Sequence, residues 1–317
     1  MATRIDRTVT RREAMAAVLG GAAAAAMGGG LMRADEPAAK ESSFKIGCGT
    51  VIFRQHPLRV ALERIRRAGY DYFETQATGP WCPHVDPVKD DPQAFRRLVG
   101  EMGFKGVTGL WSANGAILGD PKSVEGISQT MRWAKEAGIP VVHAGDGAKP
   151  ADMSDEDAMK LLGERLAKIL EVAEKCQVYL GIEPHGSFSL TSDGLNKIMG
   201  LSPSKWLGIN YDTANVHRAT YVETAAGSYS WKLFGKRQDE VATLKTIVDR
   251  VVHVHVKDIV GTSCVALGKG EVNIAGCLAV LREHGYRGAL SLETEGDLGI
   301  EENQQLIEVS RKYLMSL

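Results

Sequence analysis

Val251-Val252-His253-Val254-His255-Val256 is a short run built mostly of valine and followed at once by the charged pair Lys257-Asp258. Such a β-branched run ending in polar residues reads as a strand, and its period of two sets His253 and His255 on the same face. The same unit recurs outward in both directions. Leu207 to Asp212 precedes it and Ala289 to Glu293 follows it, while further upstream lie Phe44 to Gly49, Tyr70 to Thr75, Lys105 to Leu110, Pro140 to Ala144 and Val178 to Glu183. Helical patterns fill the intervals: Pro57 to Ala68, Pro92 to Met102, Ser123 to Ala137, Asp155 to Lys175, Leu195 to Met199, Glu240 to Asp249, Ile274 to His284 and Ile300 to Leu314. Several close on a glycine exit, as in Ala68-Gly69 and His284-Gly285. Eight strand–helix units in one series predict an α/β protein built as a single (β/α)8 TIM barrel. A doubly wound open sheet shares the alternation. Here Gly47-Cys48-Gly49 runs on into Thr50-Val51-Ile52-Phe53 without a third glycine, so no dinucleotide fingerprint follows the first strand.

The barrel pattern starts at Phe44, and what precedes it has another character. Paired Arg11-Arg12 stand ahead of an Ala/Gly-rich apolar run from Ala16 to Met32. Residues 1–34 therefore read as a signal peptide of twin-arginine type, and 35–43, polar and aperiodic, as a linker. The usual bulky residue two places after the second arginine is Ala14 here. Alanine and glycine contribute little transfer energy, so stable membrane insertion after processing is not expected. Export, to the periplasm or beyond, is. The remaining residues, 44–317, are assigned to the barrel.

The formal net charge is −1, so no broad positive field recruits nucleic acid. A small molecule is the expected partner, and the sequence leaves self-association into a homo-oligomer open. Five cysteines, Cys48, Cys82, Cys176, Cys264 and Cys277, odd in number, include no C-x-x-C pair, so neither a zinc knuckle nor a disulfide framework is indicated, and export leaves a single disulfide open. Cys48 and Cys264 sit among apolar residues and are expected to pack as small hydrophobes.

Each of the last four strands carries a metal-binding side chain at or near its carboxyl end: Glu183, Asp212, His255 and Glu293. Consecutive strands of a barrel bring such residues to one side of the mouth, where barrel enzymes do their chemistry. Three carboxylates and an imidazole form an oxygen-rich shell suited to one divalent cation, Mn²⁺ first, then Mg²⁺, with Co²⁺, Fe²⁺ or Zn²⁺ compatible. Carboxylates so close would repel one another without a cation between them. For each residue alone, a hydrogen-bonded polar group at a strand end is the competing reading.

The chain resembles the xylose-isomerase-like superfamily, in particular its sugar phosphate isomerase/epimerase branch. The pieces that carry the resemblance are Gly69-Tyr70-Asp71-Tyr72-Phe73-Glu74, Ile182-Glu183-Pro184-His185-Gly186, Asp212-Thr213-Ala214-Asn215, His253-Val254-His255-Val256-Lys257-Asp258, Leu267-Gly268-Lys269-Gly270-Glu271-Val272, and Gly285-Tyr286-Arg287-Gly288 leading to Glu293. By that resemblance Glu183, Asp212, His255 and Glu293 hold the metal, and Glu183 and Glu293 double as the catalytic acid/base pair on opposite faces of the substrate. It implies a metal-dependent isomerase or epimerase of a sugar or keto-sugar, working by proton abstraction next to a carbonyl through an enediolate. Ketose epimerases of this group usually carry a histidine three residues after the aspartate. This chain has Asn215 there, with His217 two places on.

Further substrate contacts are expected from His185 and Lys257, which follow the ligand strands, and from His143 and Glu74, which on strands four and two would face across the mouth. His253, one layer below His255, reads as a supporting or core histidine. Gly268-Lys269-Gly270-Glu271 lacks the full phosphate-loop pattern and reads as a tight turn. The long stretch from His217 to Asp239, with Tyr221, Tyr229, Trp231 and Phe234, is expected to lie irregularly over the mouth. A second function fits the same residues: a periplasmic lyase or hydrolase of 3-keto-glycosides, where proton removal beside a ketone expels a leaving group. A nuclease of the same superfamily would need more histidines and a basic face, and an exported sugar-binding protein would need no acid/base pair beside a metal.

Overall fold

The computed structural model describes residues 44–223, 230–233, 236–295 and 298–317. The segments expected to be a signal peptide (1–34) and a linker (35–43) lie outside the described residues, and the barrel forms a unit of its own. Its strands are β1 (Lys45–Gly49), β2 (Tyr72–Thr78), β3 (Gly106–Ala116), β4 (Val141–Gly147), β5 (Tyr179–Gly186), β6 (Leu207–Asp212), β7 (Val251–Val256) and β8 (Ala289–Leu292). Each pairs in parallel with its predecessor, and β8 pairs back onto β1, which also pairs with β2, so the ring closes. Closure removes every free strand edge, which a doubly wound sheet would leave exposed.

Helices α1 (Leu58–Arg67), α2 (Pro92–Glu101), α3 (Ser123–Ala137), α4 (Asp155–Cys176), α5 (Ser192–Gly200), α6 (Glu240–Ile247), α7 (Ile274–Glu283) and α8 (Ile300–Ser316) follow the strands in order. Their starts obey side-chain capping. Asp91, Ser154, Thr191, Asp239 and Asn273 each accept a backbone N–H from the first turn. Apolar faces such as Leu162, Leu166, Ile169 and Ala173 of α4 are buried against the ring, in one continuous core.

Four differences from the sequence reading matter for the site. The strands β2 to β5 run past their expected ends, carrying Gln76, Trp111 and His185 up to the mouth. A 3-10 turn, Thr50–Phe53, follows β1 directly. The stretch after β6 is ordered locally as a short helix, Thr213–Arg218, and an antiparallel hairpin, Thr220–Glu223 with Ser230–Leu233, in place of an irregular loop. Cys264 packs against the core as expected, but from a small hairpin after β7 its thiol also donates to Glu295. The five thiols are all unpaired. No helix among the described residues is long and apolar enough to cross a membrane.

Candidate metal centre and active site

Register places the four candidate ligands. Asp212 ends β6 directly beside His255 on β7. Glu183 lies on β5 and Glu293 immediately after β8. One donor atom from each of Glu183, Asp212, His255 and Glu293 lies within 4.8 Å of all the others, in a buried cluster at the carboxyl end of the ring.

Local structure decides which atoms point inward. Asp212 caps the short helix that follows it, its Oδ1 accepting from Ala214 N at 2.8 Å and Asn215 N at 2.7 Å, which leaves Oδ2 for the centre. Glu183 is steadied from both sides: Asn215 Nδ2 donates to Oε1 at 3.1 Å and Asn210 Nδ2 to Oε2 at 3.2 Å. The His255 ring is a partition. Its Nε2 is 2.8 Å from Glu74 Oε1, while Nδ1 faces Glu183 Oε2 at 3.2 Å and Glu293 Oε2 at 3.3 Å. With Nε2–H donating to Glu74, the Nδ1 lone pair is presented to the cluster, the arrangement by which a carboxylate behind a histidine orients it toward a metal.

The electrostatics favour positive charge at this spot. Burial alone would raise the Glu183 and Glu293 carboxyls. His255 outweighs it at both, helped by hydrogen bonds from His185 and His255 at Glu183 and by Lys257 at Glu293, so both sit below the usual range. Burial would hold His255 neutral, yet Glu293, Glu74 and Glu183 push its affinity for a proton well up. The same field would hold a cation. Lys257, also buried, lies 2.7 Å from Glu293 Oε2, 3.1 Å from Asp212 Oδ2 and 3.0 Å from Glu295 Oε1, and those acids override burial to keep it charged. Asp212, Glu293 and Glu295 thus share a single ammonium, while Glu183 faces the His255 ring. Asp212 Oδ2 and Glu293 Oε2 are buried and take part in no aligned hydrogen bond, despite these ion-pair contacts. Excess negative charge, unsatisfied oxygens and a three-carboxylate, one-imidazole donor set together fit a divalent cation.

Of the expected substrate contacts, His185, Asn215 and Lys257 line the mouth together with Glu183 and Glu293. His185 packs against Trp111 with ring centroids 5.0 Å apart and planes tilted by 55°, its Nδ1 3.8 Å from Glu183 Oε1. Three do not line it. Glu74 lies beneath His255, because β2 runs on by two residues of the same parity and Gln76 takes the place at the rim. His143 is fully buried under the same ring, and Trp111 of neighbouring β3 stands above it. His217 turns away from the mouth, its Nδ1 2.8 Å from Glu240 Oε2 and its Nε2 against Arg237. It ties the short helix to α6.

The sequence reading missed Gln76, Trp81, Trp111, Asn210 and Glu295. Asn210 and Glu295 had a signal available: each is two residues from a ligand, at the same strand parity. The tryptophans had none, since their place depends on how far β3 extends and on the arm that pairs Cys82–Pro83 with β2. Gly268-Lys269-Gly270 is a turn, as read, organised by Asp258, whose Oδ2 accepts from Gly268 N and Gly270 N, both at 2.9 Å.

A family model described as xylose isomerase-like TIM barrel matches residues 62–317. An uncharacterized protein of Methanocaldococcus jannaschii is 27% identical over 281 residues, covering 85% of this chain and 89% of its own. Among solved structures, a D-tagatose 3-epimerase-like protein superposes with a TM-score of 0.68 at 20% identity, covering 86% of this chain and 97% of that one. The 3-keto-D-glucoside 4-epimerase of E. coli does so with a TM-score of 0.67 at 16% identity, covering 86% and 100%. At such identities these likenesses show a common fold, carried in both neighbours by sugar epimerases or their relatives. With the match running from α1 to residue 317 and through every residue of the cluster, the chain belongs to the xylose isomerase-like TIM barrel family.

Proposed function

We propose that this protein is a divalent-cation-dependent epimerase or isomerase of a sugar or keto-sugar, acting by proton transfer at the carbon beside a carbonyl. One observation carries the reading: Glu183 and Glu293, two buried carboxylates, share a single centre with Asp212 and His255 at the floor of a tryptophan-walled mouth. Glu183, Asp212, His255 and Glu293 would hold the cation, which when bound would polarise the carbonyl and acidify the neighbouring C–H. Everything else falls to the chain. Glu183, fixed by Asn210 and Asn215, takes a proton from the substrate carbon at one carboxylate oxygen, and Glu293, beside Lys257 and entering the step in its protonated form, gives a different proton to the other face; both residues then reset by exchange with solvent. Trp81 and Trp111 offer apolar planes to sugar C–H faces, and His185 and Gln76 offer hydrogen-bonding groups to hydroxyls. The neighbouring sugar epimerases support the substrate class.

A second reading uses the same floor. Glu295, paired with the buried Lys257 at the mouth, belongs to neither the ligand set nor the acid/base pair. A proton held there would serve a leaving group, turning the enzyme into a lyase or hydrolase of 3-keto-glycosides. Incubating cation-loaded protein with ketoses and 3-keto-glycosides in deuterated water, followed by NMR, tests both. Deuterium incorporated at the carbon beside the carbonyl with an epimer as product supports the first, and release of a free sugar supports the second. No exchange into any member of the panel would refute proton transfer.

A further inference from the structure

Behind the His255 ring, on the side away from the mouth, a second set of donors converges: Glu74 on β2, His143 on β4 and His253 on β7, each no more than 2% exposed. His143 Nε2 stands 3.7 Å from Glu74 Oε1 and His253 Nε2 stands 3.7 Å from Glu74 Oε2. The two imidazole centroids are 4.4 Å apart. One donor atom from each of Glu74, His143, His253 and His255 lies within 4.8 Å of all the others. Asn210 fixes the His253 ring by a 2.9 Å contact at Nδ1, which aims Nε2 at Glu74. Nothing satisfies the rest: both ring nitrogens of His143, and Nε2 of His253, are buried without a hydrogen-bond partner. Leaving imidazole nitrogens dry and unpaired is unfavourable, and native interiors avoid it unless something occupies the place. The backbone also makes room for His143. A Cβ at Gly109 on β3 would fall 2.0 Å from its Nε2, so that position excludes a side chain.

We propose that Glu74, His143 and His253 form a second, inner cation site that takes a borderline transition ion, Zn²⁺ above all. Two imidazoles and one carboxylate are a zinc donor set, in contrast with the oxygen-rich cluster at the mouth. Donors on a tetrahedral zinc ion with bonds of about 2.0–2.2 Å lie roughly 3.3–3.6 Å apart, so the 3.7 Å spacings close by small side-chain rotations. His255 keeps its Nε2–H on Glu74 and its Nδ1 toward the mouth, so the two ions share a positioning element and no ligand atom. The inner ion would neutralise Glu74 and hold the His255 ring in place from behind.

Metal content tests this directly, independently of turnover. Protein produced in zinc-supplemented medium and dialysed against metal-free buffer would be measured by inductively coupled plasma mass spectrometry as wild type, Asp212→Ala, His143→Ala and the double variant. Two ions per chain are expected in the wild type, one in each single variant and none in the double. X-ray absorption at the zinc edge of Asp212→Ala should show nitrogen-rich ligation. A wild type with one ion that Asp212→Ala abolishes would overturn the proposal, and so would an ion in Asp212→Ala with fewer than two imidazole ligands, since the mouth offers only His255. Should His143→Ala fail to fold, the wild type and Asp212→Ala are enough to distinguish one site from two.

Discussion

Glu183 and Glu293 differ from Asp212 and His255 in what their loss should remove. Asp212→Ala and His255→Ala take away a donor at the mouth, so cation affinity should fall, and excess Mn²⁺ should restore part of the turnover. Glu183→Gln and Glu293→Gln keep an oxygen for the cation but cannot carry a proton at neutral pH. Turnover should drop by about 10²–10⁴-fold with metal still bound, read by steady-state rates beside metal analysis. Near-normal turnover in either glutamine variant would remove that residue from the proton path. Glu295 makes a different prediction. Burial would raise its carboxyl, but Lys257 and Arg218 prevail and bring it down to about 2. A carboxyl with a depressed folded pKa lends stability above its unfolded pKa, and that contribution is lost as pH falls toward the folded value. In chelated protein, stability should therefore decline between about pH 4.5 and about pH 2, by on the order of 3 kcal/mol from this group. Urea unfolding of Glu295→Gln should show a shallower decline over that window. At this scale the sequence disclosed the four residues that converge at the mouth, because each stands at or near the end of a strand whose place in the ring is set by order alone. It did not disclose that Glu74 and His143 sit a layer too low, since depth along the barrel depends on the stagger between strands, which no local pattern encodes.

Elements hold the mouth open in the right shape, and one strand-end contact shows how. Asp146, the penultimate residue of β4, accepts from Phe188 N and from Ser189 Oγ, while Ser189 Oγ in turn accepts from His185 N at 2.8 Å. A Cβ at Gly186 would meet Asp146 Oδ1 at 2.2 Å, so β4 and the turn after β5 approach too closely for any side chain there. Asp146→Ala should cost about 2–4 kcal/mol, from two lost buried hydrogen bonds and a vacated site. It should also weaken substrate binding through His185, seen as a raised KM beside a lowered melting temperature. Sequence periodicity located all eight strands and all eight helices and their order, since those follow from spacing of apolar residues. Strand ends it set too short, because polar residues such as Gln76 and Asp146 continue the strands where interior hydrogen bonding replaces apolar burial. The hairpin at Thr220–Glu223 escaped notice because its residues carry no turn signature a reader could separate from a loop.

The whole chain carries one further expectation. If residues 1–34 direct export by a twin-arginine route, replacing Arg11 and Arg12 by lysine should leave the precursor in the cytosol, and the wild type should be recovered from the periplasm trimmed near Ala34. Fractionation with N-terminal sequencing reads both outcomes, and unprocessed wild type confined to the cytosol would contradict the assignment. That route carries folded protein, which suits a ring closed between its first strand and its last. Because β1 is flanked by β2 and by β8, the ring has a gap until residues 289–292 exist to fill it, and Glu293 follows in the very next position. The residue that completes the cluster therefore arrives together with the strand that completes the wall. A chain broken off before β8 would lack both at once, leaving β1 and β7 with raw edges and the mouth one ligand short. If the mouth takes its cation as proposed, retention of that ion becomes an assembly check, since a chain that holds it firmly has been made at least through its last strand and has shut.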